Sequence, residues 1–129
     1  NKFNSDLIQK LNSIHSNVKQ EELKTILTII NKQTQLGGPG RFAWQGSQLI
    51  KYNIVVNDIS LFFQVGISDY KPVSHYWFSS DKYHYLTNKL EKKGVKETTY
   101  EYDQTPEDIS SEITRQINII ITVFDDETN

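Results

Sequence analysis

The densest alternation of apolar and polar positions runs from Leu49 to Ile67, LIKYNIVVNDISLFFQVGI. Side chains alternate faces along a strand, so period-two apolarity marks a strand with one face in a core. Ile50, Tyr52, Ile54 and Val56 share one side, with Lys51 and Asn53 opposite. Beyond Asn57-Asp58, the residues Ile59, Leu61, Phe63, Val65 and Ile67 share a side, with Ser60, Gln64 and Gly66 opposite. Asn and Asp both tolerate positive φ, so this pair predicts a two-residue hairpin turn. A slip of one residue would turn the whole apolar set outward, which fixes the register.

On either side of this hairpin the spacing becomes helical. Residues 4–33 carry Leu7, Leu11, Ile14 and Val18, then Leu23, Ile26, Leu27 and Ile30, at intervals of three and four. This predicts one long helix, or two with Ser16-Asn17 as the second cap and Glu21 and Glu22 near its positive end. Gly37-Gly38-Pro39-Gly40 ends any helix, and Arg41 to Gln45 reads as a short strand leading into the hairpin. After the hairpin, Ser68 to Pro72 reads as a loop, and His75 to Phe78 as a strand end or a packed connection. Ser79 or Ser80 caps a helix whose apolar face is Tyr83, Leu86 and Leu90, closed by Lys92, Lys93 and Gly94.

Val95 to Asp103, VKETTYEYD, alternates again, with an acidic outer side and tyrosines on the inner one. Charge of this kind suits a sheet edge, where it discourages unwanted pairing. Thr105-Pro106-Glu107-Asp108 is a helix start, and Ile109, Ile113, Ile117, Ile120 and Phe124 follow one face from it. The run Ile117 to Phe124 is β-branched enough for a strand to compete, but the unbroken helical period favours helix. A polar, frayed tail is expected from Asp125 to Asn129. The predicted fold class is α+β: an antiparallel sheet of three to four strands, centred on the hairpin 49–67, with N-terminal, middle and C-terminal helices packed on it.

Composition narrows what such a fold does. The length of 129 residues predicts a single domain spanning 1–129, and the absence of methionine, including a start residue, predicts a processed chain or one cut from a longer protein. A net charge of −2 and a pI near 5.9 supply no global basic field to recruit nucleic acid or anionic lipid. Without cysteine there is no disulfide, thiolate metal site or thiol nucleophile. No run approaches the roughly 18 apolar residues of a membrane helix, and a cytoplasmic location is the expectation.

The element order, together with Asp58 and Asp69-Tyr70-Lys71, resembles the PD-(D/E)xK nuclease core, in which two carboxylates hold a cation and a lysine orients water. Here, however, the two acids stand at opposite ends of one strand, whose nine or so extended residues would span roughly 30 Å. His75, Asp81 and His84 match no common zinc-ligand spacing, and His15 stands alone. No nucleophile-elbow pattern surrounds any serine. The Gly37–Arg41 segment lacks the preceding strand, lysine and following helix of a phosphate loop; Arg41 and Trp44 remain candidates for a recognition tip.

The most informative stretch is Tyr70 to Tyr85, YKPVSHYWFSSDKYHY, in which Tyr70, Tyr76, Trp77, Phe78, Tyr83 and Tyr85 alternate with Lys71 and Lys82. Aromatics with cations stack single-stranded nucleic acid, and clustered Tyr and Trp form protein-binding hot spots. The acidic overall balance favours a protein partner over nucleic acid. The element order also resembles small chaperone-like proteins of bacterial secretion systems, a likeness of topology without a shared motif. The expectation is therefore a non-enzymatic, protein-binding module without cofactor, metal or membrane contact, such as an immunity protein, antitoxin or secretion chaperone. Its partner-binding residues are expected to be Tyr70, His75, Tyr76, Trp77, Lys82, Glu97, Glu101 and Asp103. The competing expectation is a nucleic-acid-binding or nuclease-like domain of a larger defence or replication protein.

Overall fold

The computed structural model describes residues 2–16, 18, 25–29, 35–36, 46–101 and 103–128. Its elements are α1 (Lys2–Asn12), β1 (Thr25–Ile29), β2 (Gln35–Leu36), β3 (Gly46–Val56), β4 (Ile59–Ser68), β5 (Lys71–Phe78), α2 (Thr87–Lys92), β6 (Thr98–Thr99) and α3 (Pro106–Thr128). All strand pairs are antiparallel, in the order β1-β3-β4-β5-β6, with β2 also paired to β3. The α+β class and the N-terminal, middle and C-terminal helices are as expected; the sheet is somewhat larger than three to four strands.

The central hairpin forms in the predicted register, with Tyr52 opposite Phe63, Ile54 opposite Leu61 and Val56 opposite Ile59. Asn57 supplies the positive φ of its turn, at 53°. Ile50, Tyr52, Ile54, Val56, Ile59, Leu61, Phe63 and Val65 are all buried in one continuous core with α1 and α3. Tyr52 ties the layers together, its hydroxyl donating to the Leu11 carbonyl at 2.6 Å. That carbonyl belongs to the last turn of α1, where helix geometry leaves acceptors without partners. The neighbouring acceptors are met locally, Gln9 by the Ser13 hydroxyl and Lys10 by the Ser13 N–H.

Four segments depart from expectation. Within the second half of the predicted N-terminal helix, residues 25–29 are instead the strand β1, paired with β3 from Thr25↔Val56 to Ile29↔Tyr52. TILTI is almost wholly β-branched, which favours a pleated surface. Thr25 and Leu27 point inward while Ile26 is 55% exposed, a period of two that the wider helical spacing concealed. Asn17, the proposed cap, along with Leu23, Ile30, Gly37–Gly40 and Arg41–Gln45, lies outside the described residues.

The expected loop from Ser68 to Pro72 contracts to Asp69-Tyr70, both in the left-handed region (φ 53° and 66°), so β5 is a full strand. Pro72 fits within it because Pro72 needs no donor there, and its carbonyl accepts from the Tyr100 N–H at 2.9 Å. The middle helix begins as a 3₁₀ turn, Asp81–Leu86, capped by the Ser80 side chain, before α2. After α2, Gly94 (φ 94°) and the bond from Val95 N–H to Leu90 C=O close the helix.

Of the expected strand Val95–Asp103, in which Tyr102 lies outside the described residues, only Thr98–Thr99 is strand among the described ones. Before it, Val95 is held by the end of α2, and the Lys96 carbonyl accepts from the Thr98 hydroxyl at 2.9 Å. After it, Glu101 and Gln104 bond each other in a turn. Tyr100 still points inward as the alternation expects, buried, with its hydroxyl 2.9 Å from Ser74 Oγ. Finally, α3 continues as helix through Thr128, where a frayed tail was expected. Asn57 Nδ2 donates to Thr128 Oγ1 at 2.6 Å, and the Tyr85 hydroxyl donates to Glu127 at 2.5 Å.

Candidate functional site

Register decides which aromatic side chains can act together. On β5, Tyr76 and Phe78 stand opposite Phe63 and Leu61 and so share the helix-covered face; Phe78 lies 5.9 Å from the Phe124 ring of α3. His75 and Trp77 stand opposite Gln64 and Phe62 on the other face. There the His75 ring is 5.3 Å from Trp77, Trp77 is 5.5 Å from Phe62, and the Lys51 ammonium sits over both Phe62 and Trp77 at 4.6 and 5.1 Å. Gln64 and Gly66, expected to be on an outer side, are buried.

The eight expected binding residues do not form one patch. Tyr70 is 84% exposed in the β4–β5 turn, at the far end of β5 from Phe78. Lys82 lies in the 3₁₀ turn with its ammonium over the Tyr83 ring. Glu101 bonds Lys71 at 3.2 Å beside that same β4–β5 turn, and Asp103 is exposed ahead of α3. His75, Tyr76, Trp77 and Glu97 do come together: with Phe78, Asp81, His84, Thr87, Glu91 and Lys96 they line a groove of about 450 Å³ between β5 and α2.

Four consecutive strand residues lining one groove has a geometric meaning. Alternate side chains of a strand leave on opposite faces. A single groove touches all four only if it runs along the strand's edge. Thr98 and Thr99 pair with Ser74 and Val73, and β6 goes no further along β5. The groove therefore occupies the place beside β5 that β6 leaves.

Its electrostatics are uneven. Asp81, Glu91 and Glu97 face a single lysine, Lys96, and among the described residues none of these four is in an ion pair. Burial pushes the Tyr76 hydroxyl pKa up to about 12, and the Glu91 charge adds to the shift. Burial pushes His75 down to about 4, so its ring is neutral near pH 7. The aromatic members were legible in the sequence, but Glu91 was not singled out. Its only signal was an acidic position on the exposed side of α2, facing a strand edge that pairing alone reveals.

Asp58 and Asp69 flank the ten-residue β4 at opposite ends, and no group of three or more His, Asp or Glu fit to hold a metal occurs among the described residues. A larger cleft of about 820 Å³ lies between α1 and the start of α3. It is crossed by the Lys10–Glu107 ion pair at 2.9 Å, and its Thr105 bonds Asp108 as a helix cap. The chain matches no family model, no curated protein and no solved structure. Among the described residues no helix is long and apolar enough to cross a membrane.

Proposed function

We propose that this chain is a non-enzymatic protein-binding module that holds or occludes a partner in the groove beside β5, in the manner of an immunity protein, antitoxin or secretion chaperone. The observation that carries this reading is the meeting of His75, Tyr76, Trp77 and Glu97 in one groove with a surplus of carboxylates. Half-buried aromatic side chains ringed by charge are the composition of a protein-binding centre, in which the aromatics contribute most and the charges select the partner. A second reading, single-stranded nucleic acid, has its own support in Lys51 over the Phe62 and Trp77 rings.

Affinity capture with the tagged chain, from lysate of its source organism split into nuclease-treated and untreated halves, separates the two. A protein partner that survives nuclease and is lost when the bait carries Glu91→Lys with Glu97→Lys supports the module. Loss of all captured material on nuclease treatment moves the assignment to nucleic acid.

A further inference from the structure

We infer that the groove takes its partner as an added β-strand: an extended peptide segment bearing lysine or arginine pairs with the half of the β5 edge that β6 leaves uncovered. The inference rests on the protein-binding reading above and specifies its mode. Along a strand, N–H and C=O groups of successive residues point to opposite edges. The Pro72 carbonyl points to the β6 side, since Tyr100 donates to it. By alternation Ser74, Tyr76 and Phe78 present their backbone groups on that side, while Val73, His75 and Trp77 turn theirs to β4. The Ser79 N–H, just past the end of β5, donates to the Ser60 C=O of β4 and agrees with this assignment. Ser74 is matched by Thr98. Among the described residues no backbone group pairs with Tyr76 or Phe78 on that side.

The chain's own β6 is kept from this place. Continuing the register would set Lys96 against Tyr76, but the chain bends at Lys96, with the Thr98 hydroxyl folded onto its carbonyl, and Val95 is bonded into the end of α2. What remains is a ladder position with donors and acceptors in place, walled by α2 and its preceding 3₁₀ turn. Main-chain bonding to such an edge supplies affinity, and side chains at alternate positions supply selectivity. The alternate positions here would meet Asp81, Glu91 and Glu97, which selects a cationic strand. The same charges oppose a second copy of this chain, because edge-to-edge pairing would bring the two sets of carboxylates together.

The test uses the full chain, isotopically labelled, and short peptides of alternating lysine and valine. The expected result is binding that slows amide exchange at Tyr76 and Phe78. The matching glutamate–valine peptide should bind about tenfold more weakly or less, and so should the lysine peptide against the Glu91→Lys, Glu97→Lys variant. Both substitutions are at exposed positions, so a native amide spectrum confirms that the variant folds. A lysine–valine peptide N-methylated at alternate residues keeps its charge and loses its strand donors; it should not bind. Equal binding of the N-methylated peptide, or unchanged exchange at Tyr76 and Phe78, overturns strand addition while leaving a protein-binding groove in place. No binding at millimolar peptide also overturns it, and the capture experiment then judges the broader reading separately. Protection of the two amides that rises with protein concentration and without peptide overturns it in favour of a second copy.

Discussion

His75 is a titratable ring held at 6% exposure on β5, with the Gln64 side chain 3.5 Å from its Nε2 and the Trp77 ring beside it. Its folded pKa of about 4 lies below the ordinary 6.5 because burial disfavours the charged ring. Above pH 6.5 the ring is neutral whether the chain is folded or not, and the full stability is present. As pH falls, the unfolded ring takes up a proton first, so stability is lost between about 6.5 and about 4. With a discount for solvent screening, the loss is about 1–2 kcal/mol. Urea unfolding of the native chain and of His75→Gln, at about pH 7.5 and about pH 4.5, isolates this contribution from that of the carboxylates. A smaller acid loss in the variant is expected; equal losses would refute burial of the neutral ring. The sequence offered His75 as one member of an aromatic segment and, with Asp81 and His84, of a trio that matches no common zinc-ligand spacing. Its separation from Tyr76 onto the opposite face follows from strand alternation, but only once His75–Phe78 is known to be strand throughout.

At the scale of elements, legibility tracked how local the deciding interactions are. The β3–β4 hairpin carries its instruction within its own span, in the alternation and in Asn57, and so was read correctly. The start of α3 was equally local: the Asp108 N–H donates to Thr105 Oγ1 at 3.1 Å and the Thr105 N–H donates to Asp108 at 3.3 Å, a reciprocal cap around Pro106. Thr105→Ala should cost about 1 kcal/mol, seen as a lowered urea midpoint with an unchanged slope. No change would mean that packing alone fixes where α3 begins. The β-branched run Ile117–Val123 stays helical because Ile117, Ile120, Ile121 and Val123 are buried in the core, and packing outweighs a small propensity difference. β1 went the other way. Its residues fit both periods, and the partner that settles the matter, β3, is more than twenty positions away in sequence. β6 was overestimated for a related reason: the alternation is real, but Val95 is held at the end of α2 and the chain bends at Lys96 before it reaches the sheet.

Across the whole molecule, α3 acts as the tie between distant parts of the sheet layer. Along its length it bonds Lys10 of α1 through Glu107, Thr98 of β6 through Gln116, the hairpin turn through Thr128, and Tyr85 through Glu127. Beneath it, β4 is flanked on both sides over nearly its full length, while β1 pairs over five residues and β6 over two. Local opening is easiest where few backbone bonds and little apolar burial must be given up, and the most enclosed strands open only with the whole fold. Amide hydrogen exchange should therefore be slowest at Leu61–Val65 of β4 and along the Ile113–Ile120 stretch of α3, faster in β1, and fastest in β6. The edge groove then lies where a rigid strand meets a loosely held one. β5 is fixed by β4 and supplies a preorganised template, and β6 can yield at its short end without disturbing the core. Exchange in β6 as slow as in β4 would contradict this gradient. It would also mean that the ladder beside Tyr76 is bounded by a rigid wall, so that an incoming strand must fit the groove as it stands.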